Sequence, residues 1–200
     1  METNLKQEPI NIVKIVLFGP ESTGKTTISQ QLARHYNTVW VPEYAREYLQ
    51  NKWNNHRATC ENIDIIPIAM GQMNLENELA KKADKILICD TDLLETKVYS
   101  QEYYGGFVDP QLDEAANNNE YDLYLLTYID TPWEADDLRD RPELRLEMFQ
   151  AFENALKSHG KKYIILKGGR KKRFNKAIKA IDKILMGRKD LVSFSTNGLK

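Results

Sequence analysis

The chain has 200 residues, 42% hydrophobic and 28% charged, with 28 Lys and Arg set against 29 Asp and Glu for a formal net charge of -1. This composition describes one ordinary domain spanning residues 1–200 and able to bury a sizeable core, and its balanced charge excludes a generic nucleic-acid binder. Two cysteines are too few for a disulfide framework, no apolar run approaches the roughly 20 residues that cross a bilayer, and Met1 to Pro9 lacks a signal-peptide core, so a cytoplasmic protein with no membrane partner is expected.

In chain order, residues 1–11 read as an extension before a core of 12–187. Ile12 to Phe18 is a nearly continuous, β-branched apolar run, as in a strand covered on both faces. Gly19-Pro20-Glu21-Ser22-Thr23-Gly24-Lys25-Thr26 follows and fits the G-x-x-x-x-G-K-[ST] phosphate-binding loop at every fixed position. Its glycines let backbone N–H groups turn around phosphates, Lys25 reaches the β and γ oxygens, and the Thr26 hydroxyl is a Mg2+ ligand. Gly19, Glu21, Ser22, Thr23, Gly24, Lys25, Thr26 and Thr27 are thus the expected contacts of a nucleoside triphosphate. Ile28, Leu32 and Tyr36, at i, i+4 and i+8, place a helix directly after the loop with its positive end toward the phosphates.

Val39 to Val41 predicts a second strand, ending in Pro42-Glu43-Tyr44-Ala45-Arg46. An acid, an aromatic ring and an arginine at that strand end suit an acceptor pocket. Glu43 would take the proton of an attacking hydroxyl, and Arg46 would bind phosphate or tie down Glu43. The competing reading makes Glu43 a helix start and Arg46 a surface partner. Ile68, Gln72, Leu75, Leu79 and Ala83 repeat at helical spacing from about Pro67. Lys85 to Cys89 is a third strand, with Cys89 as a buried thiol, and runs into Asp90 at the position where phosphate-loop enzymes hold the second Mg2+ contact. Asp92 either faces the acceptor or caps a helix beginning at Leu93-Leu94.

Asn117-Asn118-Asn119 reads as a short polar loop before a fourth strand, Tyr121 to Leu126. Beyond it, Asp130-Thr131-Pro132-Trp133 leads into alternating arginines and acids, Asp137 to Arg145, which suits a lid whose Arg139, Arg141 or Arg145 meets the transferred phosphate; a salt-bridged helix start is the alternative. A helix from about Pro142 carries Met148, Phe149, Phe152 and Leu156 on one face and stops at Gly160. Tyr163 to Leu166 is a fifth strand, followed by Gly168-Gly169-Arg170, a loop placed to cover a nucleotide base. The last helix shows Phe174, Ala177, Ile178, Ile181 and Leu185 and is expected to stop at Gly187, leaving 188–200 as a tail frayed from Ser193. His35, His56 and His159 are not at metal-ligand spacing, so structural zinc is not expected. Strands alternating with helices predict an α/β fold of the P-loop NTPase type: a parallel five-stranded sheet with helices on both faces, a lid segment, and ligands at the carboxyl ends of the strands.

Five blocks stand out in order: Gly19 to Thr27, Pro42 to Leu49, Gly71-Gln72, Asp90-Thr91-Asp92, and Asp130 to Trp133 with Asp137, Leu138 and Arg139. From Ile12 to Leu185 the chain resembles the ribosylnicotinamide kinase domain of NadR-type proteins. The resemblance implies ATP and Mg2+ as cofactors and phosphorylation of the ribose 5′-hydroxyl of nicotinamide riboside, yielding nicotinamide mononucleotide for NAD synthesis. It implies a small-molecule partner and carries no expectation about oligomeric state. The pyridinium ring of that nucleoside is cationic, so Trp40, Glu43, Tyr44 and Trp133 suit it by charge and cation–π contact, with Arg46, Gln72 and Asp92 completing the expected acceptor set. Only eleven residues precede the first strand and no H-x-G-H motif is present, so a stand-alone kinase is expected, without a DNA-binding helix-turn-helix or an adenylyltransferase. Its rivals are another nucleoside or nucleoside-monophosphate kinase and, from a different class, a nucleotide-dependent ATPase or switch. An Asn-Lys-x-Asp guanine-reading motif is absent.

Overall fold

The computed structural model describes residues 5–139 and 142–197, and the side chains of those up to 188. Five parallel strands, β1 (Val13–Phe18), β2 (Trp40–Val41), β3 (Ile86–Asp90), β4 (Leu123–Thr127) and β5 (Tyr163–Leu166), form one sheet in the order β2-β3-β1-β4-β5. β1 is central, flanked by two strands and covered on both faces, which is why all six of its residues are buried and its sequence shows no polar alternation.

Among the described residues seven α-helices connect and cover the strands: α1 (Lys25–Tyr36), α2 (Tyr44–His56), α3 (Ile65–Ala80), α4 (Leu93–Tyr103), α5 (Pro110–Asn118), α6 (Arg145–Ser158) and α7 (Arg170–Asn197). Alternate strand residues divide the core into two layers. Val16, Phe18, Leu87, Cys89, Tyr124 and Leu126 pack with Met73, Leu94 and Phe152 of α3, α4 and α6. Val13, Ile15, Leu17, Ile88 and Leu125 pack with Ile28 and Leu32 of α1 and Ala177 and Ile181 of α7. This period of two, with opposite faces covered by different helices, is the physical form of the expected α/β architecture.

Three local expectations are corrected. Asn117 and Asn118 end α5 and are not a loop: Asp109 caps that helix by accepting the Gln111 N–H at 2.8 Å, Pro110 begins it, and Leu112, Ala115 and Ala116 bury its inner face. Gly187 does not stop the last helix, which continues to Asn197 and takes in Ser193; one glycine costs a helix only about 1 kcal/mol. The helix expected at Pro142 opens as a 3₁₀ turn, Pro142–Leu144, before α6. Pro67 sits in the first turn of α3, where its missing N–H has no intrahelical partner to lose.

The register sets the site. Leu17 of β1 lies opposite Asp90 of β3 and Leu125 of β4, so the loop after β1, the acid ending β3 and Thr127 ending β4 emerge at one edge.

Candidate active site

The loop after β1 is pinned from several sides. Gly19 has φ 129°, and a Cβ there would lie 2.9 Å from Thr127 Oγ1 and 3.0 Å from the Thr127 carbonyl oxygen, so β4 excludes any side chain at this position. Thr23 Oγ1 lies 2.7 Å from the Pro20 carbonyl oxygen and 2.6 Å from Thr127 Oγ1. Gly24, at φ 83°, caps α1 with no side chain filling the cap, which leaves the positive end of that helix for an anion.

Lys25 Nζ donates to the carbonyls of Gly19 and Pro20, at 2.6 and 3.2 Å, and lies 3.1 Å from Glu95 Oε1. The other oxygen of Glu95 accepts the Gly19 N–H at 3.1 Å. Burial pulls the Lys25 ammonium down, but the carboxylates of Glu95, Glu43 and Asp90 outweigh it and hold Lys25 above its ordinary value. Burial likewise drives the Glu95 carboxyl well above the usual range. Thr26 Oγ1 donates to Asp90 Oδ2 at 2.5 Å. Asp90 Oδ1 is buried with no hydrogen-bond partner among the described residues, and burial, followed by the nearby Glu43, pushes this carboxyl up to about 7. A hydroxyl beside an orphaned carboxylate oxygen is a donor set that fits a hard divalent cation such as Mg2+.

These groups open on a cavity of about 600 Å³. Of the expected residues, it brings together Glu21, Ser22, Thr23, Gly24, Lys25, Thr26, Thr27, Trp40, Glu43, Arg46, Asp90, Arg139 and Arg170. A cavity of about 950 Å³ lies elsewhere, between residues 5–12 and α5. Three of its lining residues, Lys14, Gln7 and Tyr121, turn to the buried Glu76 behind it, at 3.2, 2.8 and 2.7 Å.

Several expected acceptor residues have other positions. Asp92 is the N-cap of α4: Oδ1 accepts the Glu95 N–H at 3.0 Å and Oδ2 accepts the Tyr124 hydroxyl at 2.7 Å, so of its two readings the cap is the one seen. Its burial drives the carboxyl to about 7. The Tyr44 ring turns to α3 and lies over Gly71, where a Cβ would overlap it. Gln72 grips the turn before α2 from behind, accepting the Tyr44 N–H at 2.8 Å and donating to the Pro42 carbonyl at 3.4 Å. Trp133 lies under the Arg145 guanidinium, 5.6 Å from its ring centroid, and Arg145 donates to the carbonyls of Thr131 and Ser22 at 3.0 and 3.3 Å, bracing the loop from outside the cavity. The carbonyl of Gly169 accepts the Arg173 N–H in the first turn of α7. Arg141 lies outside the described residues.

Two residues of the site escaped the sequence reading. Glu95 follows the Asp92 cap by three positions, a D-x-x-E spacing that usually bends the acid back to the cap; here it reaches Gly19. Arg173 is 2% exposed and donates to Thr23, Gly168 and Tyr128 carbonyls at 2.7, 2.8 and 2.7 Å while pairing with Asp130. Its signal is a charge at i of the buried i, i+4, i+8 stripe that Ala177 and Ile181 continue.

The profile of a family described as an AAA domain matches residues 14–173. The trifunctional NAD biosynthesis/regulator protein NadR of Salmonella typhimurium is 31% identical over 135 residues, 66% of this chain and 32% of that protein, so the chain spans about a third of the curated relative it matches. Crystalline NadR in complex with NR is similar over 86% of this chain and 50% of its own, with TM-score 0.71 and 24% identity. Thymidylate kinase from Ehrlichia chaffeensis is similar over 87% of this chain and all of its own, with TM-score 0.61 and 18% identity. The fold is therefore one that resembles P-loop kinases, and NadR proteins are among the relatives found.

Proposed function

This chain belongs to the AAA-domain family, and from that premise we propose that it is a kinase transferring the γ-phosphoryl group of ATP to the ribose 5′-hydroxyl of nicotinamide riboside, giving nicotinamide mononucleotide. The observation that carries this reading is one cavity lined by both the phosphate loop and a second acid beside an aromatic ring, Glu43 with Trp40. An ATPase or switch needs the loop and a metal ligand. A kinase also needs a base for an attacking hydroxyl and a surface for its acceptor.

The proposed roles follow from position. Lys25 exchanges its two loop carbonyls for the β and γ oxygens, and the positive end of α1 takes the remaining phosphate charge. Thr26 and Asp90 would hold Mg2+, which when bound neutralises charge on the β and γ oxygens. Glu43 accepts the proton of the 5′-hydroxyl; Gln72, bonded to the backbone on either side of it, keeps it at the cavity. A cationic pyridinium ring is attracted by Glu43 and Asp90 and can rest on Trp40, which a neutral base gains less from. The NadR protein solved with NR is consistent with that acceptor.

ATP consumption coupled to ADP release, measured with nicotinamide riboside, adenosine, cytidine, uridine and thymidine, tests the assignment. The highest kcat/KM is expected for nicotinamide riboside. A neutral nucleoside used better would remove the acceptor claim, and ATP turnover indifferent to every acceptor would remove the kinase claim.

A further inference from the structure

At the cavity, two arginines share one carboxylate. Arg46, the third residue of α2, places Nη2 2.7 Å from Asp136 Oδ2, and Arg139 places Nη1 3.3 Å from the same oxygen. The second oxygen, Asp136 Oδ1, accepts the Leu138 N–H at 3.0 Å, so the carboxylate is fixed within its own turn. Beside it, Gln50 of α2 donates to Asp137 at 3.2 Å, and Arg139 donates to the Glu134 carbonyl at 2.6 Å. Both arginines line the cavity that holds the phosphate loop.

One oxygen bridging two guanidinium groups is the arrangement that a terminal phosphate oxygen also takes, because both anions fit the same fork of N–H donors. We propose that Asp136 is a built-in occupant of a terminal-phosphate site made by Arg46 and Arg139, holding residues 134–139 against α2 until a substrate phosphate displaces it. The inference rests on the kinase reading of the cavity and adds to it the residue that controls entry to the arginine pair.

The strengths of the contacts suit such an exchange. The Arg46 and Arg139 side chains are 43% and 25% exposed and that of Asp136 24%, so both pairs are screened by water and weak. A terminal phosphate brings close to two negative charges and three acceptor oxygens against the single charge of Asp136. Without Asp136, Arg46 keeps only the weaker attraction of Glu43 and Glu21. The phosphate comes either from the donor, as the γ-phosphate, or from the phosphorylated product.

Asp136→Asn keeps an oxygen for the Leu138 N–H and removes only the charge. Wild type and variant are titrated calorimetrically with AMP-PNP, ADP and nicotinamide mononucleotide. Release of two partly exposed ion pairs predicts about fivefold tighter binding by the variant of a ligand whose phosphate reaches the arginines. A gain for AMP-PNP but not ADP identifies the γ-phosphate, a gain for the mononucleotide identifies the product phosphate, and adding Arg46→Ala should abolish either gain. Unchanged affinity for all three ligands, or an equal gain for all three from general charge removal, would overturn the proposal. Wild type failing to bind AMP-PNP would instead count against the kinase reading, while the mononucleotide arm still decides the role of Asp136.

Discussion

Glu95→Ala should be among the more damaging single changes at this site even though Glu95 does not line the cavity. The carboxylate is 2% exposed, faces Lys25 Nζ at 3.1 Å and accepts the Gly19 N–H at 3.1 Å. Removing one partner of a buried pair costs about 3–5 kcal/mol, because the other charge is left uncompensated. Lys25 keeps two carbonyl acceptors, and its Glu95 contact is charge attraction without an aligned hydrogen bond at Oε1, which puts the expectation near the lower end, about 3 kcal/mol. Loss of the Gly19 acceptor adds about 1 kcal/mol. For a chain of this size the sum lowers Tm by about 10 °C. Glu95→Gln retains an acceptor for Gly19 and should fall less. Thermal and urea unfolding without nucleotide measure both variants, and saturating AMP-PNP should stabilise Glu95→Ala more than wild type, since phosphate replaces the missing counter-charge of Lys25. An alanine variant melting within about 2 °C of wild type would refute the reasoning, as would equal stabilisation of the two proteins by nucleotide.

Lys25→Ala is expected to fold, because burial favours proton uptake by a Glu95 that has lost its counter-charge, and to lose phosphoryl transfer by about 10²-fold or more in a coupled assay; near-normal turnover would sink the role of the loop. Gly71→Ala puts a Cβ into the Tyr44 ring, so α2 must move with Glu43; the expected cost is about 1–3 kcal/mol, with kcat/KM falling more for the acceptor than for ATP, and an equal fall would count against this geometry. Asp64 bears on acid stability: burial raises its carboxyl, but Lys52 at 2.7 Å, the Glu61 N–H at 2.7 Å and the Tyr48 hydroxyl at 3.1 Å bring it below the ordinary value. A carboxylate depressed in the folded state stabilises fully above its unfolded pKa, about 4, and that stabilisation is lost as pH falls through the lower folded value. The urea midpoint of wild type should therefore approach that of Asp64→Asn as pH drops from 6 to about 3, and a constant gap between them would contradict the assignment.

What could be read from the chain follows from where each signal resides. The phosphate loop is legible because its constraints are local and backbone-level: Gly19 and Gly24 occupy positive φ, and the flanking strand and helix are contiguous. The central strands are legible because burial on both faces leaves no polar alternation to mislead. Asp92 shows the limit. Its spacing suited an acceptor contact and a cap equally, and the choice is made by Tyr124, 32 residues away, whose hydroxyl draws Oδ2 into the core. Gly71-Gln72 was visible as a block, but its work lies in holding Tyr44 and the Pro42 carbonyl across the gap between two helices. Arg173 carries a charge where an inward residue is due: its position in the stripe with Ala177 and Ile181 is the one signal of its burial. α5 escaped because nine residues with three buried apolar positions make too short a pattern, and the asparagines at its end have turn character of their own.

The contacts divide the cavity into two parts with different freedom. The half around the phosphate loop, which the proposed reading gives to the donor, is anchored from buried positions: Gly19 to Glu95, Thr23 to Thr127 and Arg173, and Lys25 to Glu95. Dipoles held this firmly before a nucleotide arrives need no reorganisation when charge develops on the transferring group, which is where electrostatic catalysis gains most. On the proposed kinase reading the other half takes the acceptor, and the residues beside it, Asp136, Asp137 and Arg139, are attached to α2 through partly exposed contacts that cost little to break and re-form. A site that must admit two substrates and then exclude water needs one wall of each kind. Exchanging them would fail in both directions: a soft loop would spend binding energy on its own ordering, and a buried latch would trap the product.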